Sequence, residues 1–485
     1  MKRLALLATL VAFVLGLAGS ASAIVDVKAT GSWQIAAIWQ DGYSMRDVEA
    51  GNEESDFDVW QRVRTYFTFI ANENLKGVMG LEIGTANWGG AALPLGADQT
   101  GIIEVKHAYV DFTVPNSEVN VKAGLLPLAL PAGSVGNPVL DDDVAAAVVS
   151  TPLFDGVGLL AGWARPFQTN NTGEAAAQNA QVDVLFAAVP LTFDGVSLTP
   201  YMAYAYTGGD WASNVTAKIT NYSLIPAGLV SQNATQTKAQ DIDIWWGGMA
   251  FDVSLLDPFG IKGHFVYGDE DGGENLDRSG WEFDIALSYT GFDFVTPELF
   301  FVYTSGEDGN ASDNKNTATS TGGESERLPT LSSGMGVGNF WTGGGFYGDG
   351  RDTITQTVAQ DFATGYWALG LNLKDISFVE NLTHSIGLAY FEGTNDRHIG
   401  TRWNGNAANG AYGDGVTYSY TLTEDDSLME YSLVNEYKMY DQLTLALHLA
   451  YLDVNMDRDN WNEIASGTAD DKDAYKVLLG VQYAF

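Results

Sequence analysis

The 485-residue chain has no cysteine, which removes disulfides, thiolate metal sites and cysteine nucleophiles from consideration. Positive charge is also scarce: 24 Lys and Arg stand against 61 Asp and Glu, for a formal net charge of −37. Binding to nucleic acid needs cationic side chains against phosphate, so that class of function is excluded. Beyond the first two dozen residues no apolar run lasts more than a few positions before a polar residue or glycine breaks it. A spanning helix needs about 20 consecutive, predominantly apolar residues, so a helical membrane protein is excluded too. The five histidines (His107, His264, His384, His398 and His448) have no neighbour at metal-ligand spacing. No linker-like change of composition divides the chain, which points to one large domain despite its length.

Several apparent motifs dissolve in context. Gly343-x-Gly345-x-x-Gly348 fits a dinucleotide fingerprint by letter, but no strand pattern precedes it and no helix pattern follows it. Acid pairs such as Glu53-Glu54 and Asp425-Asp426 are unavoidable among 61 acids and identify no glycosidase dyad. A barrel lipase would need a Ser-His-acid set, and no nucleophile motif announces one.

What the chain does contain is a bipartite start and a long series of alternating segments. Met1–Ala23 opens with Lys2 and Arg3, runs apolar to about Ala18 and ends Ala21-Ser22-Ala23, the pattern of a cleaved secretory signal peptide. That segment holds no acid, so its removal takes the net charge to −39. The 55 glycines, 22 tyrosines, 23 phenylalanines and 13 tryptophans suit long strands, tight turns and aromatic belts.

The final stretch, from Ala474 to Phe485, is the clearest strand. Tyr475, Val477, Leu479, Val481, Tyr483 and Phe485 form one wholly apolar face, with aromatic rings at its ends and aliphatic side chains between. Its length matches the 9 to 11 residues of a tilted membrane-crossing strand. In the preceding segment Leu443, Leu445, Leu447, Leu449 and Tyr451 share a face in the same way. Phe154-Asp155-Gly156-Val157 and Phe193-Asp194-Gly195-Val196 repeat one hairpin signal.

Counted along the chain, such segments give about eighteen strands, or sixteen if the short one after Asp143 and a second marginal one are omitted. An even count places both termini at the rim of the short turns, with the long connections at the other rim: 208–240, 306–363, 393–424 and 456–473. The expected fold is an all-β transmembrane antiparallel barrel over 24–485, wide enough for an aqueous channel.

At this point the chain resembles the trimeric outer-membrane porins, most of all the homotrimeric porins of sulfate-reducing bacteria. The resemblance rests on the signal peptide, Ala108-Tyr109-Val110-Asp111-Phe112, Val121-Lys122-Ala123-Gly124-Leu125, a long loop after the fifth strand, and the terminal Tyr483-Ala484-Phe485. It implies passive diffusion of small hydrophilic solutes and ions across the outer membrane of a Gram-negative bacterium. The partners it implies are lipid, lipopolysaccharide, the barrel assembly machinery and two further copies of the chain, with no catalysis. Tyr483 and Phe485 would direct membrane assembly. A substrate-specific channel is the nearest alternative, followed by a barrel enzyme and a secreted all-β binding protein.

The resemblance also implies that residues 127–144, carrying Pro127, Pro131, Pro138, Gly133 and Gly136, fold into the barrel as a constriction. Asp141, Asp142 and Asp143 would then oppose Arg62, Arg64 and Lys122 across the gap, creating a transverse field. No resident cofactor is expected, although clustered carboxylates at Asp269, Asp271, Glu274 and Asp277 suit Ca2+ or Mg2+, as do Asp457 and Asp459.

Overall fold

The computed structural model describes residues 25–42, 45, 55–90, 103–168, 181–207, 242–271, 277–308, 324–331, 336–338, 365–397, 422–457 and 471–485. The expected signal peptide and most of the four long connections lie outside the described residues.

All the expected strands form, most of them longer than their apolar patterns alone suggest. They are β1 (Asp26–Asp41), β2 (Asp56–Asn72), β3 (Leu75–Asn87), β4 (Ile103–Thr113), β5 (Asn120–Ala129), β6 (Asp141–Phe154) and β7 (Val157–Gln168). Next come β8 (Gln181–Ala188), β9 (Leu191–Phe193), β10 (Val196–Thr207), β11 (Ile242–Val253), β12 (Phe259–Asp271), β13 (Asp277–Tyr289), β14 (Thr296–Thr304) and β15 (Glu324–Ser325). The series ends with β16 (Tyr366–Val379), β17 (Leu382–Gly393), β18 (Ser427–Tyr440), β19 (Leu443–Asn455) and β20 (Ala474–Ala484). β8 and β9 are one stave interrupted at Val189-Pro190, since both pair with β7 and with β10. The two-residue β15 runs parallel to the start of β13.

Eighteen antiparallel staves therefore close on themselves, because β1 pairs with β2 on one edge and with β20 on the other. Closure removes the open edge whose unpaired backbone groups would each cost several kcal/mol in hydrocarbon. The segment after Asp143 belongs to the fourteen-residue β6, which excludes the sixteen-strand alternative.

The last residue completes the seam. The Gly31 N–H donates to the Phe485 carbonyl at 2.8 Å, and the Phe485 N–H donates back at 3.0 Å. A side chain at Gly31 would meet the Arg64 carbonyl at 2.2 Å and the Phe485 ring at 2.8 Å, so only glycine allows this approach. The two Asp-Gly turns form as expected, with Gly156 and Gly195 at φ 73° and 68°, a region glycine enters without strain.

Side-chain polarity is inverted relative to a soluble barrel. On β13, Trp281 and Leu287 point outward and are exposed, while Glu282 and Asp284 point inward and are wholly buried. On β20, Tyr475, Leu479, Val481 and Tyr483 face outward, with Ala474, Lys476 and Leu478 inside. The outer aromatics gather in two bands. Trp39 with Phe57, Trp245 with Tyr267, Trp281 with Tyr303 and Tyr431 with Tyr451 lie toward the long-loop rim. Phe259 with Tyr289, Phe292 with Phe294, and Tyr483 with Phe485 lie toward the short-turn rim. Exposed aliphatic residues such as Val149, Leu185, Leu299, Leu371 and Leu388 occupy the band between them. No helix among the described residues is long and apolar enough to cross a membrane, a statement that does not bear on strands.

Candidate functional site: the barrel interior and its inward loop

The connection between β5 and β6 turns into the barrel. Its base is closed by the Leu130 N–H donating to the Leu140 carbonyl at 3.0 Å. Asn137, fully buried, organises the bend. Its Oδ1 accepts from the backbone N–H of Val139 (2.8 Å) and Leu140 (3.2 Å), and its Nδ2 donates to the Pro131 carbonyl (2.7 Å) and Tyr201 Oη (3.0 Å). At the tip, Ser134 donates to Asp284 Oδ1 from both its backbone N–H and its hydroxyl, each at 2.5 Å. Gly133 lies so close to β12 and β13 that a Cβ would come within 2.5 Å of the Gly263 backbone and the Asp284 carboxylate.

Burial of apolar surface holds this arrangement. Leu130, Val139 and Leu140 join a cluster on the inner wall formed by Val144, Val148, Val184, Phe186, Ile244, Trp246 and Val266. Val135, further along the same loop, belongs to a second cluster with Val302, Tyr366, Phe391 and Leu428. The loop thus bridges two walls of the lumen. A second inward segment, 324–331, docks beside it: Leu331 N–H donates to the Val139 carbonyl (2.8 Å) and Trp246 Nε1–H to the Pro329 carbonyl (2.8 Å).

The irregular part of the expected constriction is shorter than residues 127–144. Pro127, Leu128 and Ala129 continue β5 and pair with Asp143, Asp142 and Asp141 of β6, leaving Leu130–Leu140 as the loop proper. Ladder hydrogen bonds satisfy most of these backbone groups, so the aspartates open a strand instead of lining the tip of a loop. Asp143 pairs with Lys106 and, at 2.9 Å, with His107 Nε2, both on β4.

Arg62 and Arg64 do share the inner face of β2, as alternation predicts. Arg64 Nε meets Glu82 Oε2 at 2.6 Å, and Glu82 also accepts from Thr85 Oγ1 at 3.0 Å. Arg62 Nη2 donates to Gln34 Oε1 (3.0 Å), and Gln34 Nε2 to Gln482 Oε1 (2.9 Å), a polar row across β2, β1 and β20. Lys122 lies opposite Asp111 in the ladder between β4 and β5, and Asp111 also pairs with Lys76 at 3.2 Å.

The inner wall carrying Arg62, Arg64 and Lys476 lies on β2 and β20, whereas Glu270, Glu282 and Asp284 lie on β12 and β13, across the ring. The interior is therefore charged asymmetrically, with inward acids that the expected constriction did not include. Asp269 and Asp271 sit at the end of β12, on the face opposite the inward Glu270; Asp277 opens β13, and Glu274 and Asp459 lie outside the described residues.

Sequence reasoning also missed one constellation. His264 and Asp284 are register partners across β12 and β13, and Glu282 stands two residues before Asp284 on the same face. His264 Nδ1 lies 2.8 Å from Glu282 Oε2 and 3.7 Å from Asp284 Oδ2, and its Nε2 is 2.8 Å from Tyr201 Oη. All three side chains are fully buried. The signal was present as an acid-x-acid inward pair facing a lone histidine, but it becomes visible only once the register is known. The nearest hydroxyl from the loop, Ser134 Oγ, bonds Asp284 and not the imidazole, so these groups do not make a Ser-His-acid relay.

In the segments linking the strands, Glu307 accepts from Arg327 Nε at 3.1 Å and Glu326 accepts the Asp308 N–H at 3.2 Å. Burial chiefly, with repulsion from Glu307 and Asp308, pushes the Glu326 carboxyl up to about 7.

No model of a known protein family matches the chain, and no curated protein matches it in sequence. Among solved structures it is similar to Pseudomonas aeruginosa OccK8 (OprE), at 12% identity and TM-score 0.49, covering 95% of this chain and 98% of that one. It is similar also to a BenF-like porin from Pseudomonas fluorescens Pf-5, at 11% identity and TM-score 0.49, with 95% and 99% covered. A third likeness is to the outer membrane protein OpdK of Pseudomonas aeruginosa, at 10% identity and TM-score 0.46, with 94% and 98% covered. With TM-scores below 0.5, the reading of fold and site rests on this chain's own strands and side chains.

Proposed function

We propose that the protein is an outer-membrane channel that passes small hydrophilic solutes or ions through its lumen. The observation that carries this reading is the inverted polarity of a closed eighteen-strand barrel: aliphatic and aromatic side chains outside, Arg62, Arg64, Glu82, Glu282, Asp284 and Lys476 inside. Water or a lipid tail cannot exchange places in such a wall. An exposed apolar exterior of this extent is stable only in lipid, and a charged interior only beside water or a charged partner.

Within that class the geometry favours a selective passage over an open pore. The Leu130–Leu140 loop and the 324–331 segment cover the apolar inner wall and are tied to β10, β11 and β13, so they narrow the lumen on that side. Trimeric assembly, which the porin resemblance implies, is part of the proposal and is read by cross-linking in native membranes.

The deciding experiment reconstitutes the purified protein in planar bilayers and measures single-channel conductance and reversal potential in a salt gradient. Discrete conductance steps with a non-zero reversal potential are expected. Absence of steps from protein that migrates as a folded barrel, or its release from membranes by salt without detergent, would overturn the reading.

A further inference from the structure

We propose that His264, Glu282 and Asp284 form a binding site for a divalent transition-metal ion, of which Zn2+ is the best match, and that the ion fastens the inward loop to the barrel wall. The proposal goes beyond solute passage, because the three side chains are fully buried and the ion would act on the loop that rests on them.

Three observations lead to it. First, one oxygen or nitrogen from each of the three residues lies within 4.8 Å of the others, although they come from two strands, with no accessible surface on any of the side chains. Secondly, Glu282 Oε1 and Asp284 Oδ2 accept no hydrogen bond among the described residues, despite being buried. If Tyr201 donates to His264 Nε2 and Nδ1–H donates to Glu282 Oε2, the imidazole is satisfied and those two oxygens are still left facing one another's charge. A divalent cation neutralises both carboxylates at once, which no single neighbouring side chain among the described residues does.

Thirdly, the donor set and spacing suit zinc. One imidazole nitrogen and two carboxylate oxygens match a catalytic-type or incomplete tetrahedral site, with bonds of about 2.0 to 2.2 Å and donors therefore about 3.3 Å apart. The observed separations from Nδ1, 2.8 Å to Glu282 Oε2 and 3.7 Å to Asp284 Oδ2, bracket that value, and Glu282 Oε1 belongs to the same carboxylate, which can turn either oxygen to an ion. Ca2+ is disfavoured because it is a hard cation that takes oxygen ligands, whereas an imidazole nitrogen lies between the two carboxylates here. With metal on Nδ1, the imidazole proton moves to Nε2 and is donated to Tyr201 Oη, the kind of outer partner that orients a ligating histidine.

The consequence for the loop follows from shared atoms. Asp284 is also the acceptor for Ser134, and Tyr201, the acceptor for Asn137, bonds His264 Nε2, so one anchor of the Leu130–Leu140 loop is held by a ligand of the proposed ion and the other lies one residue beyond a ligand. Ordering the three ligands orders both anchors.

The test uses the full-length protein in detergent, stripped with chelator and then exposed to Zn2+, Ca2+ or Mg2+ separately, with bound metal counted by mass spectrometry after desalting. About one Zn2+ per chain is expected, with neither of the other ions retained. Glu282→Gln with Asp284→Asn should lose the zinc, whereas Asp269→Asn with Asp271→Asn, at acids on the opposite face of β12, should keep it. Hydrogen exchange over residues 130–140 should slow on zinc addition to the wild type. Should the double variant fail to fold, Co2+ added to the stripped wild type supplies an independent readout through its tetrahedral visible absorption. Equal zinc retention by both variants would overturn the proposal by placing the metal elsewhere. No zinc retained by folded wild type, or no tetrahedral Co2+ spectrum, would overturn it in favour of a single proton shared between Glu282 and Asp284.

Discussion

Replacing Leu479 with arginine tests the membrane reading at its most exposed point. Leu479 lies on the outer face of β20, about half exposed, and its ladder partners are Ala37 on β1 and Leu447 on β19, neither able to pair with a charge. Six residues separate it from Phe485. At about 3.3 Å per residue and a tilt of about 40°, that is roughly 15 Å along the membrane normal, near the middle of an apolar band about 25 Å tall. Arginine there should cost about 2–4 kcal/mol, whereas Tyr483→Arg, one residue from the end of the strand, should cost about 0–1 kcal/mol. At about 1.4 kcal/mol per tenfold, the first variant loses roughly thirty- to several-hundredfold in its folding equilibrium. Urea unfolding from lipid vesicles, read by the heat-modifiable migration of folded barrel on gels, measures both. Equal destabilisation of the two variants, or wild-type stability for Leu479→Arg, would show that this face does not meet hydrocarbon.

Arg62→Ser with Arg64→Ser should raise the cation-to-anion permeability ratio several-fold at about 0.01 M salt, where the Debye length is about 30 Å; an unchanged reversal potential would place these side chains away from the conducting path. Asn137→Ala removes buried hydrogen bonds to Pro131, Val139, Leu140 and Tyr201, at about 1–3 kcal/mol for groups left unsatisfied, and should speed hydrogen exchange across 130–140 while leaving β20 protected; uniform loss of protection would make the residue a global support instead. Glu326 binds its proton more tightly in the docked segment than in a free chain, so docking of 324–331 is favoured at low pH and weakens as pH rises from about 4.5 through about 7. Limited proteolysis at pH 5 and pH 8 should show that weakening, and Glu326→Gln should abolish the difference; a pH effect that survives the substitution would assign it to another group.

The fold was legible because membrane barrels write it into alternation. In β20 every outward residue from Tyr475 to Tyr483 is apolar, and the same period recurs in β19, so strand identity did not depend on propensity. The Asp155-Gly156 and Asp194-Gly195 hairpins could be placed from two letters each, because only glycine takes their left-handed conformation easily. Strand ends were less visible. The apolar signal stops at the membrane surface, whereas ladder hydrogen bonding continues beyond it, which is why Asp141–Asp143 reads as loop and folds as the start of β6.

The interior was only half legible, and the reason is register. Alternation assigns Arg62 and Arg64 to the inner face of β2 from sequence alone, but it cannot say that Glu82 meets Arg64, or that Asp143 meets Lys106 and His107 instead of an arginine. Those pairings depend on stagger between strands and on the path of a loop. The inward-facing residues of β12 and β13 show the same dependence more strongly. His264 is separated from Glu282 by eighteen positions and looks solitary in the sequence, yet antiparallel pairing across one connection sets it directly opposite Asp284. Charge in such a wall is interpretable only in pairs: a buried carboxylate beside a second one demands a proton, a cation or a donor, and Ser134 supplies a donor to only one of Asp284's oxygens. The loop therefore reaches β13 at the point where the wall is most in need of partners, so its inward fold is held by unmet electrostatic demand as well as by the apolar contacts of Leu130, Val139 and Leu140. Removing that demand with Glu282→Gln and Asp284→Asn should loosen the Ser134 end of the loop while leaving its apolar base packed, a difference that residue-resolved hydrogen exchange distinguishes from uniform opening.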